Sequence, residues 1–166
     1  MRRDSNERRH KMEFDYAIYS LSDEFYRMYP DPPYKEILKK QSRGYACLLF
    51  QSHYGYFICV PYRSEISHKY AYHFRSSKRS QKHKSGIDYT KAVIIKELKY
   101  LDKPILIDQD EYAETRKNIF YIAKKAEEYV ETYKKYLKGE KKISNEEFFR
   151  RYRCTSLKYF HRELDI

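Results

Sequence analysis

The chain has 166 residues, no tryptophan and only three cysteines. It also lacks any apolar run near the roughly 18 consecutive residues that a membrane-spanning helix requires. Cys47, Cys59 and Cys154 form no CxxC pair, so neither a disulfide framework nor a zinc site is expected, and a reducing cytoplasm fits best. Met1 to Lys11 are charged with no apolar stretch behind them, which argues against a secretory leader. GxGxxG, GxxxxGK[ST], HExxH and paired carboxylates of metal-site type are all missing, so nucleotide-dependent and metal-dependent mechanisms lack their usual signatures and no cofactor is expected. Acidic charge is in deficit, with 24 Asp plus Glu against 35 Lys plus Arg and a formal charge of +11. No repeat or linker divides the chain, which reads as one domain over residues 14–166 behind a basic flexible arm or helix extension, 1–13.

What is abundant is tyrosine. Twenty Tyr and nine Phe make the chain 17% aromatic, and 41% hydrophobic residues suffice for a core despite 36% charged residues and a mean hydropathy of -0.97. Basic side chains meet phosphate and release counterions, while flat rings stack on unpaired bases; a protein serving single-stranded RNA needs both. Half-buried core tyrosines and a charge that confers solubility account for the same composition, and composition alone does not separate the two.

Patterning predicts an α+β fold, a compact, strongly bent antiparallel sheet or barrel with packed helices and a helical C-terminal third. Phe14, Tyr16, Ile18 and Ser20 alternate as in a strand with one buried face. Ser22 opens a short helix that Pro30, Pro32 and Pro33 stop, with a brief helix over Tyr34 to Gln41 beyond. Tyr45 to Phe50 and Tyr56 to Val60 read as a hairpin around Gly55, the second strand ending at Pro61. Short strands are expected at Tyr70 to Phe74, Lys91 to Lys96 and Ile105 to Ile107. Arg75 to Lys84 is the densest cationic loop. Asp108 and Glu111 form a capping box, followed by one long amphipathic helix to Gly139, and Ser144 with Glu147 repeats the pattern for a last helix. Cys47 and Cys59 read as strand core, Tyr129, Tyr133 and Tyr136 as packing residues or the exposed flank of the long helix, and His53 and His161 as idle.

For an RNA-binding protein without metal signatures, the natural reaction is phosphodiester cleavage by the RNA's own 2′-hydroxyl. That chemistry needs a base or orienting group, cations for the charge developing on phosphorus, and an acid for the leaving 5′-oxygen. Arg63, Ser64, His68, His83, Lys84, Ser85, Asp88, Tyr89 and Lys91 are of suitable type, in two polar segments bordering the hairpin. Solvated surface is the ordinary use of such charged loops, and a lone histidine is ordinarily structural. A non-catalytic RNA-binding module is the alternative, and a DNA-binding regulator using the Ser144 to Asp165 helices a third, disfavoured by the absence of a helix-turn-helix pattern.

Tyr16-Ala17-Ile18-Tyr19-Ser20, Val60-Pro61-Tyr62-Arg63-Ser64, His73-Phe74-Arg75 and above all Lys84-Ser85-Gly86-Ile87-Asp88-Tyr89-Thr90-Lys91 resemble the toxins of type III toxin-antitoxin systems, the CptN-like branch of the ToxN/AbiQ family. The resemblance covers most of residues 14–138. It implies a bent barrel related to the MazF and Kid ribonucleases and a metal-free endoribonuclease leaving a 2′,3′-cyclic phosphate. It also implies growth inhibition through cellular RNA, and restraint by a small structured antitoxin RNA, a pseudoknot cut from a repeat precursor, in a closed symmetric protein–RNA assembly with no membrane and no obligatory protein partner. The family's Pro-x-[Ser/Thr]-Ser pattern falls on Pro61-Tyr62-Arg63-Ser64, and Ile66 stands where the more distant branch has lysine. On this reading Ser64 and Asp88 orient or deprotonate the 2′-hydroxyl, Arg63 and Lys91 stabilise the phosphorane, and His68 or His83 protonates the leaving oxygen. The RNA-binding set is Arg75, Lys78, Arg79, Lys82, Lys84, Ser85 and Tyr89, with Lys39, Lys40, Arg43 and the N-terminal arginines.

Overall fold

The computed structural model describes residues 15–39, 46–140 and 142–166. The expected arm, Lys40 and Arg43 lie outside them.

Alternation in the first strand is realised as β1 (Tyr16–Leu21), with Ile18, Ser20 and Leu21 buried. Ser22 then caps α1 (Asp23–Met28) by accepting from Phe25 N–H at 3.2 Å, and Phe25 is fully buried. The brief helix expected from Tyr34 is not formed over residues 34–39, where the chain makes turns closed by Tyr34 N–H to Pro30 O at 3.0 Å and Ile37 N–H to Tyr34 O at 3.2 Å. β2 (Ala46–Gln51) and β3 (Phe57–Arg63) form the hairpin. Pro61 does not end β3. It pairs in register with Cys47, and the strand runs on to Arg63.

β4 (Ala71–His73), β5 (Gly86–Asp88), β6 (Val93–Ile95) and β7 (Leu101–Pro104) complete a seven-stranded antiparallel sheet in the order β4-β5-β3-β2-β1-β7. β6 also pairs with β3. Tyr62 and Arg63 pair with Ile87 and Gly86, whereas Phe57, Ile58 and Cys59 pair with Ile95, Ile94 and Val93. Between the two pairings the chain makes one 3₁₀ turn, Tyr89–Lys91, before returning to the same strand. The sheet is not closed into a barrel, which corrects the sequence expectation. β4 and β7 end the sheet without pairing each other. β7 precedes Ile105–Ile107 rather than including them; Ile105 donates once more to Ile18 O at 3.0 Å, and the chain then leaves for the helices.

Two helices stand where one was expected: α3 (Gln109–Lys117) and α4 (Ile119–Leu137). Asn118 breaks them with φ -112° and ψ 17°, its side chain donating to Glu114 O at 2.9 Å. α4 buries Ile122, Ala126 and Val130 in the core, and α5 (Asn145–Tyr152), which starts at the expected Ser144 cap, meets Tyr129 and Tyr133 of α4 through Phe148 and Tyr152, while Tyr136 is half-buried on Phe148. Arg75 to Lys84 is not all loop: α2 (Lys78–His83) forms within it, capped by Ser77. Phe25, Phe50, Phe160, Tyr62 and Leu48 are the largest fully buried side chains, each contributing about 1.5–3 kcal/mol.

Candidate active site and nucleic-acid interface

Asp88 sits at the end of β5, completely buried. Its Oδ1 accepts from Thr90 N–H at 3.0 Å and from the Thr90 hydroxyl at 2.6 Å, which starts the 3₁₀ turn. Arg63 Nη1 donates to Oδ2 at 2.8 Å, and His68 Nε2 lies 3.2 and 3.3 Å from the two oxygens. Burial alone pushes the Asp88 carboxyl up, but hydrogen bonds from His68, Thr90 and Arg63 outweigh it and hold it below its ordinary 3.8. Asp88 is therefore anionic at neutral pH, with its lone pairs occupied.

Asp88 is a carboxylate engaged by four donors and shielded from solvent, an arrangement suited to holding its neighbours in place. His68 is engaged at both nitrogens: Nδ1 accepts from Tyr70 N–H at 3.1 Å, which leaves Nε2 as the protonated nitrogen facing Asp88. His68 is thus tied to the Asp88 carboxylate on one side and to the Tyr70 amide on the other. His73 Nε2 supports this loop from His68 O at 2.7 Å.

Lys91 closes the 3₁₀ turn, half-buried, its Nζ donating to Cys154 O at 2.9 Å. Burial lowers its pKa, with Asp88 pulling it up and Arg63 pushing it down, so all three share one electrostatic neighbourhood. Ser64 follows directly at the end of β3 and is half-buried. Ile66 is 1% exposed, so position 66 is core.

His83 is not brought to this cluster. Its Nδ1 pairs with Glu65 at 2.9 Å, both side chains being more than half exposed. Glu65 and Lys84 take left-handed backbone, φ 57° and 45°, and Glu65 and Ile66 donate to the carbonyls of His83 and Lys84. Each such conformation costs about 1 kcal/mol for a residue with a Cβ, and both are held by the facing segment.

Of the expected RNA-binding residues, Arg75, Lys78, Lys82 and Lys84 are exposed. Arg79 is committed to Asp108, at 2.8 and 3.3 Å. Ser85 and Tyr89 are corrections: both are buried, Ser85 donates to Glu111 at 2.6 Å, and Tyr89 is core rather than a stacking platform. Lys39 Nζ caps the carbonyls of Tyr29 and Tyr34 at 2.6 and 3.1 Å. The capping box is also redirected. Asp108 reaches Arg79, and buried Glu111 accepts from Ser77 at 3.0 Å as well as Ser85, so α3 clamps the cationic segment to the sheet.

Sequence reasoning missed the outer wall. Tyr70 packs beside His68, ring centroids 6.2 Å apart, with Arg151 of α5 5.8 Å from its ring and its hydroxyl donating to Glu147 at 3.3 Å. Arg151, paired with Glu147 at 3.1 Å, thus brings a cation of α5 to the ring beside His68. The signal present was the run Arg150-Arg151-Tyr152-Arg153, and Thr90 was missed as well, although Asp88-Tyr89-Thr90 has the spacing of an Asp turn. Among the described residues no group of three or more His, Cys, Asp or Glu is placed to hold a metal ion, and no helix is long and apolar enough to cross a membrane. Comparison with family models, curated proteins and solved structures found no match.

Proposed function

We propose that the protein is a metal-independent endoribonuclease acting through the RNA's 2′-hydroxyl, and that it is the toxin of a type III system restrained by a small structured RNA. The observation that carries the nuclease reading is one buried, anionic Asp88 holding Arg63 in place beside half-buried Lys91, at the edge of a basic surface. Arg63 binds the non-bridging phosphate oxygens, and its Asp88 anchor removes the orientational freedom that would weaken this contact. Lys91 neutralises the charge that grows on phosphorus. Its lowered pKa also suits it to protonate the departing 5′-oxygen as the 2′-oxygen bonds to phosphorus, leaving a 2′,3′-cyclic phosphate. Ser64 orients the attacking hydroxyl, whose proton passes to water. The toxin reading rests on the likeness of the Lys84 to Lys91 block to those toxins, and in the fold this block contributes Asp88 and Lys91 to the candidate site.

The test is cleavage of single-stranded RNA and of a repeat precursor in EDTA, with the ends analysed. Lys91→Ala is expected to lower kcat about 10²–10³-fold, the usual effect of deleting one transition-state donor. Asp88→Asn is expected to fall similarly, whereas His83→Ala stays near wild type. Uncut RNA in the wild type, with binding retained, establishes the non-catalytic RNA-binding module instead. Growth arrest on expression, relieved by the co-expressed upstream DNA, tests the toxin reading.

A further inference from the structure

A cleft of about 600 Å³ lies among α1, the turns after it, and the C-terminal segment. Four half-buried tyrosines line it: Tyr29, Tyr34, Tyr100 and Tyr159. Tyr29 and Tyr34 meet edge to face at 5.1 Å and 80°, and Tyr34 and Tyr159 do so at 4.9 Å and 78°. Lys39, through its two carbonyl contacts, fixes the turn that carries Tyr29 and Tyr34. Exposed Lys96 and Arg162 stand at the rim with three carboxylates, Glu97, Glu163 and Asp165.

The lining selects its ligand. Flat ring walls favour a planar aromatic group, two rim cations favour a phosphate attached to it, and the carboxylates accept from exocyclic amino groups. A bare anion would leave the rings unused. A chain of contacts also leads from the cleft toward the candidate active site. The Tyr159 hydroxyl and Lys158 Nζ both donate to Glu36, the latter at 3.0 Å, and Glu36 lies in the electrostatic neighbourhood of Lys91.

We infer that this tyrosine cleft binds an unpaired nucleobase with its phosphate, holding a nucleotide of the RNA strand that passes Lys91. The inference rests on the RNA reading above but not on cleavage. It is tested on the full chain with a 2′-O-methyl single-stranded oligonucleotide, which 2′-hydroxyl chemistry does not cut, and with the four nucleoside monophosphates and their nucleosides. Binding is followed by NMR shifts and by ultraviolet cross-linking mapped by mass spectrometry.

Cross-links at Tyr34, Tyr100 or Tyr159, and binding weakened about tenfold or more in Tyr34→Ala but kept in Tyr159→Phe, are expected. Because Tyr34→Ala removes a packing ring, the surface double variant Lys96→Ala/Arg162→Ala is the second probe: it should bind nucleosides as before and lose the preference for monophosphates. Cross-links confined to the Lys78–Lys84 face, or unchanged monophosphate preference in the double variant, overturn the inference. Monophosphate binding without oligonucleotide binding overturns the RNA track and leaves a site for free nucleotides. A failed nuclease reading shows differently, as unmodified RNA left intact while the blocked oligonucleotide still binds.

Discussion

At the scale of the residue, Asp88 concentrates the energetics of the candidate site. Removing one partner of a buried ion pair leaves the other uncompensated; because the Arg63 side chain is 35% exposed, Asp88→Ala is expected at the lower end of such losses, about 3 kcal/mol at neutral pH. The folded-state pKa of Asp88 lies below its unfolded value, so its contribution is complete above the ordinary 3.8 and is lost as pH falls through the folded value. Urea unfolding of wild type and Asp88→Asn at descending pH checks this: the stability difference should hold down to about pH 4 and shrink below it. Gly86 is fixed by space rather than by charge. A Cβ there would lie 2.1 Å from Tyr72 O, backbone that pairs across β4 and β5, so Gly86→Ala should cost about 3 kcal/mol in thermal unfolding.

Among the elements, α2 and α3 form one unit although 25 residues separate His83 from Asp108. Glu111 is buried where two serine hydroxyls converge, and Glu114 accepts from Arg75 N–H at 3.1 Å and Tyr72 Oη at 2.7 Å. Replacing Glu111 by Ala leaves the buried Ser77 and Ser85 hydroxyls without their acceptor, with a loss of about 2 kcal/mol or more. Amide exchange in residues 75–85 should accelerate more than in β2 and β3; equal acceleration everywhere would show that Glu111 serves global packing rather than this clamp. The same unit shows where local reading stopped. Ser77 was readable as a cap only after the chain around it was known to be helical, and Asp108 and Glu111 have the capping-box spacing yet spend their carboxylates on a neighbouring segment.

Across the whole molecule, the excess charge of +11 is spent unevenly. Arg79, Lys158 and Arg151 are paired with Asp108, Glu36 and Glu147, while Lys78, Lys82 and Lys84 stand exposed beside the clamp. If this face meets RNA phosphate, log affinity should fall linearly with log salt, and Lys78→Gln, Lys82→Gln and Lys84→Gln should each flatten the slope by about 0.7–0.9. A slope unchanged in all three places the RNA on another face, the Arg150–Arg153 side of α5 being the next basic surface.

Much of the fold was legible because it rests on neighbours in sequence. The period-two run in β1, the β2–β3 hairpin, and the Ser22 and Ser144 caps follow from side-chain alternation and from hydroxyls three residues from the amides they accept. Residue types at the site were legible too, since Arg63, Asp88 and Lys91 stand out by their polar company between apolar strands. Tertiary structure alone decided their states. Asp88 meets Arg63 across 25 positions and His68 across 20, Lys91 meets Cys154 across 63, and Tyr70 meets Glu147 across 77. Burial, proton location and ion pairing depend on distance through space, and the open edges of the sheet depend on where the chain runs out of pairing partners. Local patterning specifies neither, so Ser85 and Tyr89, polar in sequence, became interior, while Arg151, distant in sequence, became part of the wall.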